Sequence, residues 1–206
     1  MSELVIKSIG APKKIIFIFH GYGADKENMK PIGQALAQSF EDIEIRMPDG
    51  FQECNEGIGY QWFPFGDEDN EESWYREYLK IEPIMTKYVD ETAAKHGLTR
   101  SDVILAGFSQ GAMLALTLGL RISACAAISF AGTLLGREIP SDSPTKILIA
   151  HGEIDNVMPI HYARESYEFL LSKKVDAKMV TSPMLAHATD SYLINETVDF
   201  LKSLNI

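Results

Sequence analysis

The sequence predicts an α/β protein, a mostly parallel sheet with helices on both faces. Three observations carry that prediction. Apolar runs of four to seven residues recur along the chain and are continuous rather than alternating, as strands buried on both faces require. Stretches with helical period lie between them. Strand and helix alternate throughout, without a fixed-period repeat, a low-complexity tract or a linker, so residues 1–206 are expected to form one domain.

Residues 14–20 form the first strong strand candidate and 43–47 a weaker second; 103–106, 124–130, 146–150 and 177–180 follow. Between them, 29–40 sets Ile32, Leu36 and Phe40 on one helical stripe. Residues 74–96 do the same with Tyr78, Ile81, Met85 and Val89, and Gly97 is the stop. Pro83 is expected to kink or split that helix. Residues 112–120 are apolar all round, a core helix. Helices over 162–173 and 191–204 complete the set. One segment departs from the alternation: 60–75 holds both tryptophans and six of the 20 aromatic residues. Its rings are expected to fold over the C-terminal edge of the sheet. Its acidic half, from Asp67 to Glu72, reads as a solvated loop.

Composition narrows the function. A chain of 206 residues buries enough apolar surface to need no metal or disulfide staple. Its 19 Lys+Arg against 29 Asp+Glu give a net charge of −10. The sequence has no cluster of Lys and Arg to neutralise phosphates, which argues against nucleic acid as a partner. With 46% hydrophobic and 23% charged residues, global disorder is excluded. Cys54 and Cys125 offer neither a redox pair nor zinc spacing, so they read as reduced thiols. Residues 103–120 are uncharged over 18 positions, but Gly107, Ser109, Gln110 and Gly111 interrupt them, which reads as strand, turn and helix rather than a membrane span. Met1-Ser2-Glu3-Leu4 lacks the features of a secretory signal, and a cytoplasmic location is expected.

The chemistry centres on Gly107-Phe108-Ser109-Gln110-Gly111, between a predicted strand and a predicted helix. A serine lifted out of a sharp strand-to-helix bend needs small neighbours, and the helix N-terminus favours negative charge beside it. The motif alone is weak; its context strengthens it. Serine needs a base to take its proton and an acid to orient that base. In this strand order both follow the nucleophile, acid first. His187, between the last strand and the last helix, fits best. His151, read as opening the loop after its strand, and His161 are the alternatives; His20 precedes the serine, and His96 suits a helix C-terminus. Asp155 is preferred as the acid over Glu153, while Asp142 and Asp176 read as surface charges or caps. An oxyanion hole needs two backbone N–H donors: Gln110 supplies one and Tyr22, in His20-Gly21-Tyr22-Gly23-Ala24, the other. A dinucleotide fingerprint starting at Gly21 fails because position 26 is Lys.

Taken together, H-G-Y-G-A at 20–24, Gln61-Trp62-Phe63, G-F-S-Q-G at 107–111, Ser129-Phe130-Ala131-Gly132, H-G-E-I-D-N-V-M-P at 151–159 and His187 resemble the carboxylesterase/phospholipase group of α/β-hydrolases, which includes the acyl-protein thioesterases. One departure is Ala186, where many members carry glycine. The resemblance implies an α/β-hydrolase fold without a large cap domain, and an esterase, lysophospholipase or thioesterase using no metal or cofactor. It implies Ser109 as nucleophile, Asp155 as acid, His187 as base, and the Tyr22 and Gln110 amides as oxyanion donors. Trp62 and Phe63 would wall the acyl groove; Leu134 and Leu135, from their place after the 124–130 strand, are expected to border it as well. The implied partner is a small-molecule or lipid-like acyl ester, and two copies could pair as a homodimer through surface apolar patches. A binding or dimerisation module on the same fold is the alternative.

Overall fold

The computed structural model describes residues 2–54, 58–65, 68, 70–140 and 143–206. In chain order they form β1 (Glu3–Ile6), β2 (Lys14–Phe19), α1 (Lys26–Ala37), β3 (Ile43–Pro48), β4 (Gln52–Glu53), β5 (Tyr60–Gln61), α2 (Glu71–Ala94), β6 (Val103–Phe108), α3 (Gln110–Ile122), β7 (Ala126–Phe130), β8 (Lys146–Gly152), α4 (Ile160–Ser172), β9 (Ala177–Ser182) and α5 (Ser191–Ser203). Seven strands make one sheet in the order β1-β3-β2-β6-β7-β8-β9. All neighbours are parallel except β1, which runs antiparallel along β3. β4 and β5 pair as a separate short hairpin.

Continuous apolar runs serve both faces. Ile15, Phe17, Phe19, Val103 and Leu105 turn towards α2 and α3. Their alternates Ile16, Ile18, Ile104 and Ala106 turn towards α1 and α5. On the α2/α3 side the core continues through Ala127, Ile147 and Ile149 to α4. The stretch 103–120 is β6, a bend and α3, and no helix among the described residues is long and apolar enough to cross a membrane.

Three expectations need correction. Pro83 does not split α2, which runs unbroken from Glu71 to Ala94. Pro83 lies on the solvent side, one turn after the 39% exposed Leu79, whose freed carbonyl can bond water. The helix stops two residues before His96, and Gly97 takes φ +71° beyond it. His151 does not open a loop: it is the sixth residue of β8, fully buried. The apolar run of β1 is only three residues, Leu4 to Ile6, and β4 and β5 have two residues each, so none of them gives a sequence signal of the kind used above. Asp142, Asp67 and Asp69 lie outside the described residues.

Candidate active site

Four strands deliver the candidate residues to the carboxyl edge of the sheet, where open α/β sheets bind ligands. β2 leads to the Tyr22 loop, β6 to Ser109, β8 to Asp155 and β9 to His187. Ser109 has φ 53° and ψ −116°, a backbone conformation that costs a non-glycine residue on the order of 1–3 kcal/mol. The surroundings hold it there. The Ser109 N–H donates to Phe130 O at 2.8 Å, and its own carbonyl accepts from Ala112 and Met113 in the first turn of α3. The two motif glycines are steric necessities. A Cβ at Gly107 would collide with the carbonyl of Gly111, and one at Gly111 with the carbonyls of Phe19 and His20.

The loop after β2 is held by His20, Trp62 and Gln110 in bracing roles that sequence reasoning did not assign to them. His20 is fully buried. The Gly50 N–H donates to its Nε2 at 2.9 Å, so the ring hydrogen sits on Nδ1, which donates to Gly21 O at 2.7 Å. Burial holds this imidazole below its ordinary pKa, in the neutral form. The Trp62 indole N–H donates to His20 O at 2.8 Å. Gln110 contributes more than its amide: its buried side chain accepts from Trp62 N at 3.0 Å and donates to Phe63 O at 2.7 Å. One carboxamide thus locks the aromatic loop against the start of α3. The available signal was a lone polar side chain, Gln110, at an otherwise apolar helix start, together with the Gln61-Trp62-Phe63 element.

Asp155 and His187 meet. Asp155 Oδ1 accepts from the Val157 and Met158 N–H groups at 2.9 and 2.8 Å, and Oδ2 lies 2.7 Å from His187 Nδ1. A carboxylate only accepts, so Nδ1 carries the ring hydrogen and Nε2 keeps its lone pair. The Phe108 ring packs against the imidazole with centroids 4.8 Å apart. Gly152 permits this meeting: a Cβ there would strike the carbonyls of Leu185 and Ala186, in the loop that carries His187. Ala186 in place of the glycine of many family members is therefore compatible with the Asp155–His187 bond. Glu153 instead accepts from Thr181 Oγ1 at 2.7 Å, and Asp176 pairs with Lys146 at 2.9 Å. His151 donates from Nε2 to Met158 O at 2.7 Å, with Asp155 Oδ2 3.5 Å away. It closes the acid loop from within the core. His161 stands on the first turn of α4 and borders the cleft. His96 lies 3.3 Å from the buried Glu44 carboxylate.

Ser109 and His187 line one cleft of about 880 Å³ together with Gly21 and Tyr22. Among the described residues none of its lining is Lys, Arg, Asp or Glu. Here the expected walls are corrected. Trp62, Phe63 and Leu134 are wholly buried, Leu135 is 1% exposed, and none of the four borders the cleft. Trp62 and Phe63 are held inwards by Gln110. The Leu134 and Leu135 N–H groups are tied to Ser166 Oγ and Thr117 Oγ1 in the α3/α4 core. Phe65, Trp74, Met113, Met158 and Tyr162 form the wall instead. The aromatic run 60–75 held Phe65 and Trp74, and Met113 is one turn beyond Ser109; the spacing was visible, the facing was not.

The phospholipase/carboxylesterase family description matches residues 1–205. The chain belongs to that family. Curated relatives of this member include esterase YpfH of Escherichia coli K12, 26% identical over 97% of this chain and 87% of that one. Acyl-protein thioesterase 1 of Mycosarcoma maydis is 23% identical over 94% and 92%. Among solved structures, esterase PE8 superposes with a TM-score of 0.91 at 28% identity, covering 98% of both chains. The Bacillus cereus carboxylesterase gives 0.84 at 15% identity over 99% and 94%, a likeness of fold. This phospholipase/carboxylesterase member thus has the α/β-hydrolase fold, and its family is one of ester and thioester hydrolases.

Proposed function

We propose that the chain hydrolyses carboxylic esters or thioesters through an acyl-enzyme on Ser109, with His187 as base, Asp155 as orienting acid, and the Tyr22 and Gln110 N–H groups as oxyanion donors. The observation that carries the reading is the 2.7 Å Asp155–His187 hydrogen bond at a cleft that Ser109 also lines. Asp155 accepts from Nδ1, which leaves Nε2 the atom able to take a proton. His187 Nε2 takes the Ser109 hydroxyl proton as Oγ forms its bond to the acyl carbon. The negative charge that grows on the carbonyl oxygen meets backbone N–H groups at the N-terminal end of α3 and in the Gly21–Gly23 loop. The carbon–oxygen or carbon–sulfur bond then breaks and the leaving atom receives the proton from Nε2. Water, deprotonated by the same nitrogen, cleaves the acyl-enzyme and restores the serine. The apolar, uncharged cleft suits a neutral or lipid-like acyl group.

Ser109→Ala is expected to abolish turnover of p-nitrophenyl esters and labelling by a fluorophosphonate while the melting temperature stays within a few degrees of wild type. Undiminished turnover in that variant refutes the proposal.

A further inference from the structure

The cleft straddles the edge of the sheet, and its two lips belong to opposite faces. Trp74, Met113 and Met158 are part of the core on the α2/α3 face, with Phe65 and Tyr162 packed against it. Met29 and Ile32, from α1, belong to the core on the other face, and Phe108 packs against that one. Ser109 rises from the end of β6, between the two. His187 is on the α1 side: its ring lies against Phe108, and Leu185 of its loop joins the same core. The chemistry makes this asymmetry matter. An imidazole that has taken the serine proton must return it to the leaving atom, so the leaving group lies on the side where the imidazole stands.

We infer that the α1 lip, formed by Met29, Pro31, Ile32, Phe108 and Ala188, is the leaving-group subsite, and that it selects an uncharged, apolar alcohol or thiol. This rests on the serine mechanism proposed above. The acyl group then lies along Phe65, Trp74, Met113 and Tyr162. Among the described residues no Lys or Arg lines the cleft, and Lys30 of α1 lies 3.9 Å from the Glu27 carboxylate. Lys26, the first residue of α1, is held by the buried Asp49 at 2.6 Å, and Asn28 spends its carbonyl oxygen on the Asp25 N–H as part of the helix cap. The net charge of −10 further opposes an anionic leaving group.

The test has two arms: one holds the acyl group as acetate and varies the alcohol, the other holds the alcohol as p-nitrophenol and varies the acyl chain from C2 to C12. Methyl, butyl and hexyl acetate are compared with 4-acetoxybutanoate, whose alcohol ends in a carboxylate, on the wild type and on Ala188→Phe. Ala188 is exposed, so the added ring narrows the α1 lip without entering the core. In the wild type, kcat/KM is expected to rise from methyl to butyl acetate by up to about fourfold per methylene, the worth of one buried CH₂. It is expected to fall at least tenfold on the terminal carboxylate. Ala188→Phe should flatten the alcohol series while the dependence on acyl length persists. A flat alcohol series, or turnover of none of these acetates, in a protein that a fluorophosphonate still labels overturns the subsite alone. If Ala188→Phe changes the acyl dependence and not the alcohol dependence, the two lips have been assigned the wrong way round. Absence of both labelling and hydrolysis overturns the subsite and the serine mechanism together.

Discussion

Asp155 spends one carboxylate oxygen on two backbone N–H groups and the other on His187, so loop geometry and ring orientation depend on the same side chain. Asp155→Asn keeps an oxygen for the loop and loses the tautomer control. A drop in kcat of roughly 10⁴-fold is expected by the serine protease precedent, with little change in melting temperature. A fall of less than tenfold would remove Asp155 from the mechanism. Two further imidazoles matter to stability. Burial holds His20 and His151 below the ordinary value of 6.5. As pH falls below 6.5, the unfolded chain binds protons that the folded one refuses, so stability declines until the folded rings titrate. Tm measured from pH 7.5 to 5 should therefore fall. His20→Gln, which can still accept the Gly50 N–H and does not titrate, should show a shallower slope; an unchanged slope contradicts this account.

At the scale of elements, the bend between β6 and α3 is fixed by packing of backbone on backbone. Gly111 passes so close to the carbonyls ending β2 that no side-chain movement relieves an added methyl. Gly111→Ala is expected to cost about 3 kcal/mol or more, read as a shift in the denaturant midpoint, because the strand and helix must separate. A shift below 1 kcal/mol would mean that the bend adapts cheaply. The same closeness explains why Gln110 serves two elements at once: its amide begins α3, and its side chain fastens the loop after β5. The α2 helix tolerates Pro83 for the opposite reason. There the broken hydrogen bond faces water instead of a packed neighbour.

For the whole molecule, a sheet covered on both faces leaves its carboxyl edge as the open ground, and the cleft there is bordered by both cores. Its volume of about 880 Å³ and its uncharged lining favour acyl chains longer than acetyl. In p-nitrophenyl esters from C2 to C12, kcat/KM should climb from C2 to a medium-chain optimum. A monotonic decline from C2 would contradict the acyl lip assigned to Phe65, Trp74, Met113 and Tyr162.

The order of elements was legible because its signals are local. Runs buried on both faces and helical stripes are written in residues one to four positions apart. The candidates Ser109, Asp155 and His187 were legible for a chemical reason: a bend needs glycines, a hydroxyl needs a base, and the strand order says where each follows. What the folded structure alone decided is which way the rings of 60–75 turn. Trp62 and Phe63 go inwards because Gln110, nearly fifty residues away, binds their backbone, and Phe65 and Trp74 are left to face the cleft. It also decided that His20 and His151 are internal braces, since their partners Gly50 and Met158 become neighbours only once the strands align. Periodicity encodes the faces of single elements; the walls of a cleft are made where several elements end together.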